Sequence, residues 1–320
     1  MKRFFKYLFR ILLAIIALIV LVVLLLYLPP VQRFAKKQIV SYVTKNYGLE
    51  TRIGKLSIGF PLDLTLEDVY AGKSASDTLV AFESLHLDVG LRYVLQQRLG
   101  VNELSVENVK FVMAGDTAKT GLDVKAGKLQ LIAGEIHLKK KRIEAKNIEL
   151  REAAILLEAG ENVQPDTVSS QPTDWTFSVG EIDLGQIRFN MKSAAMPYLG
   201  AGIGEGRITQ GTVSLGGQTI DVGGITIDQA WCDLKTGNTS KDSLPASPEV
   251  VVGADTAKSL WTVKAGTLWM KNSAFSLASG GQEQASVVLS GIAVRIDSVY
   301  NRGTVVRADL RDLQAVQKMA

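Results

Sequence analysis

An eight-residue spacing of apolar residues recurs along the chain and restricts what it can fold into. Apolar residues stand at positions one, three, six and eight, so two residues separate the two halves of the pattern. Apolar residues two apart share one face of a β-strand. The two-residue gap shifts that alternation by one residue, and either a β-bulge or a tight turn would do this.

The copies of this pattern are regularly spaced. The first five begin at residues 64, 104, 143, 182 and 220, so the steps are 40, 39, 39 and 38 residues. A copy that is imperfect at Ser273 begins 48 residues later, at Leu268, and another begins at Val287. A near-constant period of this kind indicates a repeat architecture. The 48-residue step is lengthened by a polar insertion. The phrase "WTFSVGEIDLGQIRFNM" begins at Trp175, and its second copy begins at Trp261. The two copies are 86 residues apart because they are separated by one step of 38 residues and the lengthened step of 48.

The region from Leu49 onward is predicted to be mainly β. Short runs rich in Val, Ile, Thr and Phe alternate there with Gly, Asn and Asp. Residues 49–320 are therefore predicted to form one repetitive β-domain. Two segments rich in Ser, Thr, Pro and Asp, 158–174 and 235–259, are predicted to leave the sheet as polar excursions.

The N-terminal residues 1–28 predict a cytoplasmic stub and a membrane anchor. Residues 11–28, "ILLAIIALIVLVVLLLYL", would form a helix of about 27 Å, close to the thickness of a bilayer core. The run ends in Tyr-Leu-Pro-Pro without the small residues of a cleavage site, which favours an uncleaved anchor over a signal peptide. The basic residues before it predict a cytoplasmic N-terminus. They are Lys2, Arg3, Lys6 and Arg10.

Charge outside this stub is balanced. The chain has 36 Lys+Arg and 32 Asp+Glu, and residues 1–10 hold four basic and no acidic residues, which leaves 36 − 4 = 32 of each sign. The composition thus lacks the basic excess typical of nucleic-acid binding. Residues 29–48 are predicted to form a short amphipathic helix that lies on lipid or packs on the first strand, and packing is favoured.

No catalytic or metal-binding set of residues is recognisable in the sequence. His86 and His137 are 51 residues apart and occupy polar positions of alternating runs. Cys232, the one cysteine, is interpreted as a small apolar residue. The glycines of "LGAGIGEGR" at 199–207 do not follow a nucleotide-binding spacing. We therefore predict that the protein is not an enzyme and has no cofactor.

The segments "GLETRIGKLSIGFPLDLTLEDVYA", "DTLVAFESLHLDVGLRYVL" and "LGVNELSVENVKFVM" give the chain a family resemblance. Together with the N-terminal anchor they resemble the start of the TamB branch of AsmA-like proteins. The resemblance implies an elongated, twisted β-sheet curled into a groove, anchored in the inner membrane with its bulk in the periplasm. It also implies that the chain is an N-terminal portion, incomplete at its C-terminus, and that a missing region contacts an outer-membrane assembly protein.

Two functions remain open at this point. An apolar face shared by many repeats must be buried, either under a second layer or by a ligand. In the first case the resemblance implies a scaffold for outer-membrane protein translocation and assembly. In the second it implies a protein that carries phospholipid acyl chains along an apolar groove. The candidate lining residues of the groove or core are Leu104, Val106, Val109, Phe111, Ile182, Leu184, Ile187, Phe189, Ile220, Val222, Leu268, Met270 and Phe275.

Overall fold

The computed structural model describes residues 27–59, 63–74, 77–90, 99–115, 120–158, 174–193, 198–235, 261–278, 287–302 and 305–318. Lys2, Arg3, Lys6, Arg10, nearly all of the apolar run and most of both polar excursions lie outside these residues. The sequence also predicts a short helical turn over residues 91–100. Residues 91–98 of it lie outside the described residues, and Leu99 and Gly100 instead begin the strand Leu99–Met113, so the prediction is wrong for these two residues. Among the described helices, none has the length and apolar character needed to span a bilayer.

The described residues fold into one α-helix and a long mixed sheet, so the prediction of a mainly β protein is confirmed. The elements are α1 (Pro29–Tyr47), β1 (Glu50–Gly59), β2 (Asp63–Ser74), β3 (Asp77–Val89), β4 (Leu99–Met113), β5 (Gly121–His137), β6 (Arg142–Arg151), β7 (Ala154–Glu158), β8 (Thr176–Lys192), β9 (Tyr198–Ser214), β10 (Thr219–Asp228), β11 (Trp231–Lys235), β12 (Thr262–Ala278), β13 (Val287–Arg302) and β14 (Val305–Lys318), with a 3₁₀ turn at Leu138–Lys140.

Helix α1 ends where the sequence predicts. Two prolines open it, and Gly48 follows it in the left-handed conformation, with its N–H donating to the Thr44 carbonyl at 3.0 Å. The helix packs against β1. Gln32 Nε2 donates to the Ile58 carbonyl at 3.5 Å, and Lys36 Nζ donates to the Gly54 carbonyl at 2.7 Å. The helix therefore covers carbonyl groups along the outer edge of β1.

Neighbouring strands in the sheet follow chain order. Pairing is antiparallel except where β6 and β7 meet β8 and where β10 and β11 meet β12, which are parallel. Because β7 and β11 continue the lines of β6 and β10, the sheet is twelve strands wide. At about 4.8 Å between strands, it extends about 53 Å across the strands.

A four-strand unit occurs twice. Strand β9 begins 77 residues after β5 (198 − 121), β10 begins 77 after β6 (219 − 142), and β11 begins 77 after β7 (231 − 154). Strand β12 begins 86 residues after β8, so the two copies of the repeated phrase occupy equivalent strands. The 39-residue period of the sequence corresponds to two strands, and the larger structural repeat corresponds to four.

The gap in the apolar pattern marks a left-handed residue inside a continuous strand. Asp68, Asn108, Gln186 and Asn272 have φ between 51° and 54°. Around Asp68 the pairing continues without an extra residue on either strand, as Ile53↔Val69 and Lys55↔Glu67 show. Around Asn272, in contrast, the pairing of β12 with β13 shifts by one residue. In β2 and β4 the shift is thus neither a bulge nor a turn.

These residues line up across the sheet in what we call the first shift row. Its members are Gly54, Asp68, Glu83, Asn108, Gly127, Glu152, Gln186, Gly204, Gln229 and Asn272. Three left-handed residues lie beside a glycine, since a Cβ on Gly54, Gly127 or Gly204 would lie 2.8–3.1 Å from the Cβ of Asp68, Glu152 or Gln229. Glycine is needed there because a side chain would collide with that neighbour.

A second shift row runs parallel to the first. Its members are Asn102, Ala133, Lys146, Gly180, Gln210, Gly223 and Gly266. Ala133 and Gln210 have φ of 50° and 54°. The two rows are six residues apart in every strand that carries both, for example 108 − 102 in β4 and 186 − 180 in β8. The copies of the pattern that begin at Ile143 and Ile220 contain the second row, so the 39-residue period mixes the two rows.

Candidate functional site: a continuous apolar face

One face of the sheet carries most of its apolar side chains, and we call it the apolar face. Residues paired directly across neighbouring strands point to the same side. Between the two shift rows, pairing connects Ile58, Leu64, Leu87, Leu104, Leu131, Ile148, Ile182, Ile208, Ile225, Leu268, Ile296 and Leu310 in one unbroken row. The row crosses all twelve strands of the sheet.

A second row runs beside it. It connects Leu56, Leu66, Leu85, Val106, Leu129, Leu150, Leu184, Gly206, Ile227, Met270, Val294 and Leu313. The two rows form a central band between the shift rows. At about 3.3 Å per residue, the six-residue distance between the shift rows makes this band about 20 Å wide.

The shift rows keep the apolar side chains on one face as the strands continue past the band. A Cβ on Gly206 would lie 2.8 Å from Ile203 Cδ1, and a Cβ on Gly134 would lie 2.7 Å from Leu131 Cδ2. Each pair is three residues apart and spans a shift row, so residues that would oppose each other in a regular strand share a face. Beyond the first shift row another row connects Val80, Phe111, Val124, Ile155, Phe189, Ala201, Cys232, Phe275 and Leu289.

All thirteen lining residues predicted from sequence lie on this face. Leu104, Ile182 and Leu268 belong to the first central row, and Val106, Leu184 and Met270 to the second. Val109, Ile187, Phe111, Phe189 and Phe275 lie beyond the first shift row, and Ile220 and Val222 lie beyond the second. Val106 is buried and the other twelve are half-buried.

Within the described part of the chain no second layer covers this face. The extensive contacts join only strands that are paired in the sheet, or α1 to β1. Among the described residues, eight apolar side chains are buried, and five of them are alanines: the set is Ile53, Leu56, Val106, Ala126, Ala145, Ala153, Ala265 and Ala278. Larger residues of the face stay in contact with solvent, for example Leu129 at 37 % exposure. The apolar face is therefore an open surface and not a sealed core.

The opposite, polar face is held by ion pairs. Arg151 bonds Glu149 at 3.0 Å and also Glu205 at 2.9 Å, and its side chain crosses Gly185, where a Cβ would lie 2.2 Å from Nη1. Hydrogen bonds from Lys128 and Arg151 hold the pKa of Glu149 below its usual value. Bonds to Glu149 and Glu205 raise the pKa of Arg151.

A second carboxylate of this face is stabilised in its charged form. Arg207 Nε lies 3.0 Å from Asp183 Oδ1, and Asn147 Nδ2 donates to Asp183 Oδ2 at 3.0 Å. Burial raises the pKa of Asp183, but the hydrogen bonds from Asn147 and Arg207 outweigh it and leave that pKa lowered. The polar contacts of Asp183 on the polar face thus connect β8 to β6 and β9.

The structure also places the residues considered for chemistry. His86 lies beside Asp63 at 3.2 Å and His137 beside Glu135 at 3.3 Å, on different strands. Cys232 is half-buried on the apolar face, and burial raises the pKa of its thiol. No group of three or more potential metal ligands occurs among the residues that the structure describes.

Sequence reasoning missed the lining residues of β3, β5 and β9, which stand between the strands that carry the recognised pattern. Alternation is present there, as in Leu85 and Leu87 or Leu129 and Leu131, but glycines such as Gly206 and Gly211 interrupt it in β9. No protein-family model, curated protein or solved structure matches the chain.

Proposed function

We propose that the protein holds phospholipid acyl chains on its apolar face and passes them along the sheet. The observation that carries this proposal is the continuity of the central band across twelve strands without a covering layer in the described residues. Each acyl CH₂ that leaves water contributes about 0.8 kcal/mol, so a chain of about ten methylenes contributes about 8 kcal/mol before its ordering cost. No catalytic group is needed for such binding.

The shift rows support a groove as the shape of this surface. A left-handed residue cannot continue a flat strand, and here such residues recur in line at both borders of the central band. We propose that the band forms the floor of the groove and that the strand ends form its walls. Lipid tails would lie on the floor, and head groups would stay at the polar rim.

The cellular setting is part of the same proposal. The apolar run 11–28 and the basic residues before it support a single-pass inner-membrane anchor, with the sheet in the periplasm. The resemblance to the TamB branch of AsmA-like proteins supports a role in outer-membrane biogenesis. On that basis the partners are the inner membrane, phospholipids and an outer-membrane assembly protein.

Site-specific photo-crosslinking tests the lipid-carrying function. Photoreactive residues at Ile182, Phe189 and Leu268, on the apolar face, should capture phospholipid in cells. Matched controls on the polar face of the same strands are Arg188, which is exposed, and Trp269, which is 49 % exposed. Equal lipid capture on both faces, or protein adducts alone on the apolar face, would overturn the proposal. Native mass spectrometry of the purified chain should show bound phospholipid.

A scaffold function is the second candidate, and β14, which pairs with β13 alone among the described residues, favours it. Its side chains are exposed, including Val306 at 65 % and Leu313 at 60 %. An edge with unpaired backbone groups and apolar side chains can take up a strand from a partner. Protein-only adducts at Ile182 and Leu268, together with protein adducts at Leu310, would support docking over lipid transport.

A further inference from the structure

Helix α1 has one face on the sheet and one face that nothing covers among the described residues. Gln32 and Lys36, one turn apart, contact β1. At about 100° per residue, Phe34 and Tyr42 lie about 80° apart on the helix and away from that contact. Phe34 is 62 % exposed and Tyr42 is 61 % exposed. Exposed apolar side chains that are grouped on one side of an element, and are rimmed by polar residues, mark an interaction surface.

The charge of α1 indicates which kind of partner surface its uncovered face fits. The sequence PPVQRFAKKQIVSYVTKNY contains four basic residues and no acidic residue. Arg33, Lys37 and Lys45 are exposed, and none of them forms an ion pair with a described carboxylate. Lys37 and Lys45 flank the Phe34 side of the helix. Elsewhere on the protein, basic side chains such as Lys55 and Lys128 are paired with carboxylates.

We infer that α1 lies along an anionic lipid surface, with Phe34 and Tyr42 inserted at the head-group level and Lys37 and Lys45 on lipid phosphates. Aromatic rings and lysines on one helix face are the side chains that such an interface binds. Because Gln32 and Lys36 fix the same helix to β1, this contact sets the first strand of the sheet beside the membrane surface. The inference does not require lipid on the apolar face.

Depth measurements on the full chain test the orientation of α1. Cys232 is first replaced by Ser, and single cysteines at Phe34, Tyr42 and, as a control, the exposed Lys110 of β4 are labelled with an environment-sensitive fluorophore. The chain is reconstituted in phosphatidylcholine vesicles that contain phosphatidylglycerol and head-group-level quencher lipids. We expect equal quenching at 34 and 42 and none at 110. A helix that stood upright would place residue 42 about 12 Å farther out and would lose quenching there.

Charge neutralisation tests the lipid contact separately from the fold. Lys37→Gln and Lys45→Gln should each weaken the contact equilibrium at position 42 roughly fivefold, the equivalent of about 1 kcal/mol per lysine. Lys110→Gln is the matched control and should change nothing. Quenching at 34 alone, no quenching at 42, or equal effects of Lys45→Gln and Lys110→Gln would overturn the inference. Photo-crosslinking at Ile182 reports the proposed lipid carriage independently, so the two ideas can fail separately.

Discussion

Two leucines of one apolar row distinguish an open face from a covered core. Leu56 and Leu129 both belong to the second row of the central band, but Leu56 is 6 % exposed and Leu129 is 37 % exposed. Leu→Ala removes three carbons, which is worth about 2.4 kcal/mol if they are wholly buried. At Leu56 the loss is about 2.3 kcal/mol of transfer free energy plus a cavity term, or about 3 kcal/mol.

At Leu129 the expected loss is smaller. The native side chain keeps about a third of its surface in water, so its truncation costs about 1.5 kcal/mol, and no closed cavity is left because the site opens to solvent. Urea unfolding followed by far-UV circular dichroism, with lipid removed, measures both variants. Equal losses of about 3 kcal/mol would refute the open face, since a covering layer would then bury Leu129. Added phospholipid should raise the cost at Leu129 towards that at Leu56, because lipid that binds the native face contributes to its stability.

The shift rows, the ion pairs and the cysteine carry the remaining predictions. Gly266→Ala would place a Cβ 2.2 Å from the Gly223 carbonyl oxygen and should lower the free energy of unfolding by about 1–3 kcal/mol in the same urea assay. Gly224→Ala is the control and should lower it less, because the nearest atoms to its Cβ would be threonine hydroxyl oxygens at 3.1 Å. Asn108→Val should cost about 1–2 kcal/mol more than Asn108→Gly, because a β-branched residue is strained at φ 51°. The pKa values of Glu149 and Asp183 are lowered in the folded state. The stability that these carboxylates contribute is therefore present at neutral pH and is lost as the pH falls from about 5 to 3. Over that pH range the urea midpoint should fall less in Glu149→Gln than in the unmodified chain. Burial raises the pKa of Cys232, so maleimide should label its thiol at about pH 8 more slowly in the folded chain than in the urea-unfolded chain. Bound phospholipid should slow this labelling further. A labelling rate that phospholipid does not change would mean that lipid does not cover Cys232 on the apolar face.

The sequence was sufficient for the fold class and for the face. Alternation with a two-residue gap selects residues that share one side, and this is why Ile182, Leu184, Ile187 and Phe189 all lie on the apolar face of β8. The ends of α1 were also predictable, because proline and glycine act locally at helix ends.

The mechanism of the shift could not be predicted from the sequence. Polar residues at the gap, such as Asp68 and Asn108, are compatible with a bulge, a turn or a left-handed residue. The left-handed residue is distinguished from a bulge or a turn only by the pairing of Asp68 with Gly54 and of Asn108 with Gly127 on neighbouring strands. The second shift row gives still less local signal, since Ala133 and Lys146 are ordinary residues for a regular strand. The position of the second shift row follows from how each strand pairs with its neighbours, and the sequence of one strand does not specify that pairing.

The way in which this sheet is stabilised limits how far a perturbation can spread. The extensive contacts among described elements join only neighbours, so each strand is stabilised by the strands beside it and by no shared core. Such a structure behaves as a nearly one-dimensional array, in which stability is a sum of neighbour terms. Arg151 reaches from β6 across β8 to Glu205 of β9, and this ion pair should therefore matter more than an isolated surface pair, because it links strands that are not neighbours. An apolar face can stay open in this architecture because the polar face and the backbone ladders, and not a second layer, hold the strands in register.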